Sequence, residues 1–375
     1  MKILYLIDRL ETNYPRDQNY IIKYMLEKGH EVTVITSDDA RFRDYDSIFF
    51  PSASIIRVPP IGRIKGAVLY FRPLMLKNLF VERFDVVHAF TFFTFSSLLG
   101  VIVDGNIKIS RSEIGPPNGL TFTKAGRKFS VYSLLIKVYK DLYDYITVYN
   151  RIEAESLLEL GFDERKIVVI SPMIDYHKFS RLAKSGLRSE GEIILGSISR
   201  ISPEKGIHRL IPLVRSIKRC GIKKFRLLLA GRVDDPSYGY RVLQMLQNQL
   251  EDRFVYLGEV ASPYKFYRMV DVVIVPSLIE TGAISVLEAM AARKVVIASN
   301  IYPINLYIDH AANGFLFTEI SEAVDFIESI LEGNVSTEEI GKKAQNSVRQ
   351  YDYRLVCSRL EHIYKPELKL KRNCE

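Results

Sequence analysis

Short apolar runs alternate with amphipathic, helix-period stretches along most of the chain. In the first half the apolar runs have strand length and fall at Lys2–Ile7, Glu31–Thr36, Ser54–Val58, Val86–Ala89, Ile107–Ser110, Tyr145–Val148 and Ile167–Ile170. One amphipathic stretch predicts a helix over Asp17–Lys28, stopped by Gly29 at the left-handed cap position. Another starts at Asn150, where Glu153 three residues on makes a capping box, and stops at Gly161. Strands spaced by helices predict a parallel sheet covered on both faces.

The second half repeats this logic. Ile193–Ile198, Phe225–Ala230, Phe254–Leu257, Val272–Val275 and Val295–Ala298 read as strands with helical patterns between them. The periodicity breaks in Ser171–Glu192, around Pro172, Gly186 and Gly191, which predicts a domain boundary there. After Glu338 the pattern is helical to about Ile363, with no further strand. The expected fold class is α/β, with two doubly wound Rossmann-like domains facing each other across a cleft.

Composition narrows the class. A chain of 375 residues favours two domains, and 47% hydrophobic with 26% charged residues is the balance of a globular protein. Cys220, Cys357 and Cys374 have neither metal-ligand nor disulfide-framework spacing, which fits a reducing cytoplasm. The chain opens on a strand-like run, so no signal peptide is expected, and Ala89–Val103 is too short to span a bilayer. The net charge of +8 admits anionic partners without choosing among them. One segment is more telling. Between Ile114 and Lys140 there is no acidic residue. Lys124, Arg127, Lys128, Lys137 and Lys140 are interleaved there with Phe122, Phe129, Tyr132 and Tyr139. Two readings stay open: a surface helix with a solvated basic face, or a segment lying on an anionic membrane. No nucleic-acid recognition module is present, so no nucleic-acid partner is expected.

No Gly-x-Gly-x-x-Gly follows any predicted strand, and no P-loop is present, which argues against a dehydrogenase and a P-loop kinase. Candidate chemistry sits at two strand ends. After Ile193–Ile198 come Arg200, Ser202-Pro203 as a plausible helix start, and Lys205 in the expected first turn, where a cation opposes the helix dipole. Arg200 and Lys205 could grip a diphosphate, or could be solvated surface cations with one paired to Glu204. After Val272–Val275 come Glu280, in a loop, and Glu288, expected in the first turn of the next helix. Glu288 could also be the capping-box partner of Ser285, and Glu280 a plain surface carboxylate. The combination points to a sugar joined to a diphosphate: two cations and two carboxylates at one sheet edge, beside a helix N-terminus that favours anions.

Pro276 to Ala291, with its Glu-seven residues-Glu spacing, resembles the hallmark phrase Pro-Ser-x-x-Glu-Gly-Phe-Gly-x-x-x-x-Glu-Ala-Met-Ala of the retaining glycosyltransferases of GT-B fold, family four, also called group 1 glycosyl transferases. The resemblance runs nearly end to end. It takes in Lys28–Thr36, Asp85–His88, the Val169–Phe179 region, Arg200 with Lys205-Gly206, Leu229-Ala230-Gly231 and Gly314–Phe317. It implies an N-terminal acceptor-binding domain over 1–172, a linker over 173–192 and a donor-binding domain over 193–351. A C-terminal helix of about 352–375 would return to the first domain. It implies a retaining, metal-independent hexosyltransferase that needs no cofactor beyond a nucleotide-diphospho-sugar co-substrate. The expected acceptor is a glycan or a lipid-linked sugar, and the expected location is cytoplasmic, peripheral at the inner membrane face. Carried over by position, Arg200 and Lys205 would neutralise the diphosphate and Glu280 would contact the sugar near the reacting centre. Glu288 would bind the ribose hydroxyls, and the backbone from Gly282 and Ala283 to Ile284 and Ser285 would reach sugar or phosphate.

The departures are specific. The family's Gly-Gly loop after the first strand is here Thr12–Gln18, without glycine, where Arg16 could supply a positive group. In place of the usual His after the fifth strand stands Ser110–Gly115, which makes Arg111 and Glu113 candidates for acceptor or sugar contacts. His88 reads as a core histidine. The hallmark Phe-Gly is Gly282-Ala283, and Arg293 stands where Gly is common. A nucleotide-sugar epimerase on the same fold and a non-catalytic sugar-nucleotide binder are the rival readings.

Overall fold

The computed structural model describes residues 1–12, 16–60, 62–64, 67–69, 81–90, 95–111, 141–182, 192–222, 224–260 and 262–365. It divides into two compact units, one of Met1–Met173 with Tyr353–Glu375, the other of Ile174–Asp352. Glu113 and the basic aromatic segment 114–140 lie outside the described residues.

The first unit contains β1 (Lys2–Ile7), β2 (Glu31–Ser37), β3 (Ser54–Val58), β4 (Gly62–Ile64), β5 (Ala67–Leu69), β6 (Phe84–Ala89), β7 (Gly105–Arg111), β8 (Tyr145–Val148) and β9 (Ile167–Val169). Seven of them form a parallel sheet in the order β3-β2-β1-β6-β7-β8-β9, and β4 and β5 pair as a separate antiparallel hairpin. The two-residue period of a strand explains the continuous apolar runs. Along β1, Ile3, Tyr5 and Ile7 enter one core, while Leu4 and Leu6 enter another on the opposite face. The C-terminal helix Tyr353–Ile363 belongs to this unit. It packs into the first of these cores, with Tyr353 stacked on Tyr20 at 4.9 Å. Its Glu361 is held by Tyr24 at 3.1 Å and His30 at 3.2 Å.

The second unit contains β10 (Ile193–Ile198), β11 (Phe225–Ala230), β12 (Phe254–Tyr256), β13 (Val272–Val275), β14 (Val295–Ser299) and β15 (Phe315–Phe317), all parallel in the order β12-β11-β10-β13-β14-β15. Ile193 and Leu195 of β10 fill one core with Val272 and Ile274 of β13, while Ile194, Val273 and Val275 fill the other. The helix Tyr176–Ser180, inside the stretch expected as a linker, contributes Tyr176 and Phe179 to this second core. The strand order reverses between β10 and β13. In open α/β sheets that switch point leaves a crevice at the carboxyl ends of the strands, where ligands bind.

Among the described residues no helix is long and apolar enough to cross a membrane.

Candidate functional site

The residues after β10 and after β13 meet at the switch point. The chain leaves β10 through Arg200 and makes a 3-10 turn over Pro203–Lys205. It then passes Gly206 in the left-handed region (φ 62°), makes a second 3-10 turn over Ile207–Arg209, and only then starts the α-helix Leu210–Arg219. Lys205 is therefore not in the first turn of an α-helix, as the sequence predicts, and the dipole penalty expected for it does not arise. A Cβ on Gly206 would lie 2.1 Å from the Pro276 carbonyl oxygen, so only glycine lets this turn close on the loop after β13. Two backbone bonds fasten the same contact: Leu278 and Ile279 donate to the Glu204 carbonyl at 2.8 and 3.1 Å.

That closure brings Lys205 and Glu280 together. Lys205 Nζ lies 2.9 Å from Glu280 Oε1, and the Ser277 hydroxyl donates to the same oxygen at 2.8 Å. Glu280 is 6% exposed and the Lys205 side chain 16% exposed. Neither the surface carboxylate nor the solvated lysine survives as a reading. Arg200 differs. Its side chain is 45% exposed and pairs with Glu204 at 3.2 Å and Asp234 at 2.6 Å, close to the surface-cation alternative. Asp234 also takes a bond from Arg232 at 2.7 Å. Burial works to raise its carboxyl, but the two guanidiniums outweigh burial and hold it below the usual range.

The helix Ile284–Ala291 is entered through Ala283 in the left-handed region (φ 47°). Arg293, just past its end, is also left-handed (φ 58°). At both positions the hallmark that the chain resembles has glycine, so the chain keeps that backbone at a cost of about 1–2 kcal/mol each. The N–H groups of Ile284 and Ser285 open the helix and have no acceptors within it.

Ser285 is the second helical residue and makes no cap, and Glu288 is the fifth. The capping box and the first-turn position expected of Glu288 are both overturned. Glu288 is instead 4% exposed and faces Tyr267. The Tyr267 hydroxyl lies 3.1 Å from both Glu288 Oε2 and the Ser285 carbonyl. One phenol hydrogen cannot serve two acceptors, whereas a protonated Glu288 donating to the phenol oxygen satisfies both. Burial pushes Glu288 up to about 8, against the opposing pull of Tyr267 and the Lys178 charge. Tyr267 escaped sequence reasoning, since nothing local marks it within the helix Pro263–Met269. Ser277 stood inside the hallmark phrase but drew no role.

In the first unit, Arg16 is exposed and pairs with the buried Glu11 at 2.5 Å. Arg111, the last residue of β7, is buried. It bonds Asp17 at 2.8 Å and lies 3.9 Å over the Tyr149 ring, whose hydroxyl donates to Asp17 at 2.8 Å. His88 is a core histidine as read: Nδ1 meets the Tyr364 hydroxyl at 2.7 Å. Burial, with the Arg111 charge adding, pushes it down to about 3, so the ring is neutral.

Residues 179–347 match the sequence family described as glycosyl transferases group 1, and residues 19–178 match the family described as glycosyltransferase family 4. A trehalose synthase of Thermococcus litoralis is 25% identical over 238 residues, and the match spans 57% of each chain. An N-acetyl-alpha-D-glucosaminyl L-malate synthase of Bacillus anthracis is 26% identical over 371 residues, covering 94% of this chain and 93% of that one. Among solved structures, Anabaena HepE in complex with UDP and glucose superposes with a TM-score of 0.73 at 19% identity, over 97% of this chain and 99% of that one, a likeness of fold.

Proposed function

This chain belongs to the group 1 glycosyl transferases, and on that premise we propose that it moves a sugar from a nucleotide-diphospho-sugar to a glycan or lipid-linked acceptor, with retention at the anomeric carbon. The observation that carries this reading is the buried meeting of Lys205 and Glu280 at the switch point of the second unit's sheet. A leaving diphosphate gains charge in the transition state, and catalysis favours cations and N–H groups fixed in advance where that charge develops. Lys205 and Arg200 take that role, with the N–H groups from Gly282 to Ser285. Glu280 contacts the sugar beside the reacting carbon. Glu288, neutral at pH 7, both donates and accepts, which suits the vicinal hydroxyls of a ribose. Retention follows when the acceptor hydroxyl attacks from the face the diphosphate leaves and passes its proton to that diphosphate. Arg111, braced by Asp17, is the acceptor contact we propose in the first unit.

A thermal-shift screen of nucleotide sugars tests the donor. Uridine nucleotides come first, because HepE was solved with UDP. At a hundred times its dissociation constant the true donor should add about 2.7 kcal/mol to stability. No shift with any uridine, guanosine or adenosine diphospho-sugar sinks the reading.

The acceptor side carries its own test. The basic aromatic run of 114–140 suits a lipid surface, so the protein should co-sediment with vesicles containing anionic lipid and be released by salt. Equal binding to neutral vesicles would remove the anionic surface from the proposal, and no binding to either would remove the membrane.

A further inference from the structure

A third cation stands at the switch point. The Arg209 guanidinium donates to the Pro276 carbonyl at 3.3 Å, to Ser299 Oγ at 2.7 Å and to the Thr318 carbonyl at 3.0 Å, and lies 4.9 Å over the Phe317 ring. Pro276 follows β13, Ser299 ends β14 and Thr318 follows β15. One planar fork thus spans the carboxyl ends of three neighbouring strands, a geometry that arginine can make and lysine cannot.

Its acceptors are all neutral. Among the described residues no carboxylate bridges it. Burial lowers its basicity, and only the field of Glu319 works the other way. A partly buried cation on neutral acceptors spends desolvation energy that an uncharged brace would not. The return for that cost lies in what Pro276 does next. Its carbonyl is the atom on which Gly206 closes: a Cβ there would meet it at 2.1 Å, and would meet Arg209 Cδ at 3.5 Å. Two residues later Leu278 and Ile279 bond to Glu204, and two further on Glu280 meets Lys205.

We propose that Arg209 is a positioning residue. It pins the Pro276 carbonyl, keeps loop 276–280 in register with turn 203–206, and so makes the Lys205–Glu280 contact. The inference rests on the donor-site reading, and two measurements separate their fates. Hydrogen exchange reads the clamp without any ligand. In Arg209→Gln the amides of Leu278 and Ile279 should exchange at least tenfold faster, while β10, β11 and β13 keep their protection. Unchanged exchange at 278–279, or equal loosening across the whole sheet edge, overturns the inference and leaves the donor reading standing.

UDP and GDP binding then reads the consequence. Lys205→Ala should weaken whichever nucleotide binds by at least tenfold, and Arg209→Gln by about fivefold. The double variant should bind no more weakly than Lys205→Ala alone, because the clamp acts on the nucleotide only by placing Lys205. Additive losses overturn the positioning role. A wild-type protein that binds neither of these nor ADP overturns both readings. Arg209→Lys, which keeps the charge and loses the fork, serves if the glutamine variant folds poorly, and should behave as it does.

Discussion

Replacing Glu280 by Gln is expected to lower turnover by about 100- to 1,000-fold while leaving nucleotide affinity equal or tighter. The substitution keeps size and shape, and the Ser277 hydroxyl retains an acceptor at 2.8 Å. What goes is the negative charge 2.9 Å from Lys205. On the proposed donor site that carboxylate competes with an incoming diphosphate for the lysine, so its removal frees Lys205 for the ligand. On the same proposal its loss also removes the charged group beside the sugar in the transition state. The folded state should lose about 1–3 kcal/mol, because a poorly exposed lysine trades a charged partner for a neutral one. That lowers the melting midpoint of the second unit by roughly 2–10 °C. A purely structural ion pair predicts the reverse pattern: lower stability with turnover per folded molecule intact. Steady-state kinetics with the donor found by thermal shift, set beside calorimetry with its nucleoside diphosphate, decides the matter. Near wild-type turnover would remove Glu280 from the chemistry.

The sheets were legible because a strand buried on both faces must be apolar almost throughout. Lys2–Ile7, Ser54–Val58, Tyr145–Val148, Ile193–Ile198, Phe225–Ala230 and Val272–Val275 have in the structure the bounds that the pattern predicts. Phe315–Phe317 escaped as a strand, being three residues long at the sheet edge. Local errors came from backbone conformations that spacing does not reveal. Gly206 in the left-handed region delays the α-helix to Leu210, which moves Lys205 out of it. Ala283, left-handed, caps the next helix two residues ahead of Ser285, so the Ser285–Glu288 spacing of a capping box falls inside the helix and caps nothing. The partners that define the site are non-local. Tyr267 reaches Glu288 from another helix, and Arg209 reaches Pro276, Ser299 and Thr318 across three strand ends. Periodicity carries no trace of such contacts.

Glu288→Gln is expected to stabilise the second unit increasingly as pH rises. Free in an unfolded chain, a glutamate titrates near its ordinary value, about 4.3. In the fold, burial holds Glu288 up to about 8. Between those values the native state keeps a proton that the unfolded state has lost. Protons bound by the unfolded chain minus those bound by the native one is then about −1 for this site. Its contribution to stability therefore falls with pH, by up to roughly 1.4 kcal/mol per unit, and levels off above the folded value. Glutamine cannot titrate, and it offers Tyr267 the same neutral hydrogen-bonding partner. The difference in unfolding free energy between variant and wild type should thus be small near pH 5 and grow through pH 7.5. Other titrating groups cancel in that difference. Urea unfolding followed on the transition that includes the second unit measures it. A flat difference would mean that Glu288 is already ionised at neutral pH, and with it would go the neutral carboxyl proposed to grip a ribose diol.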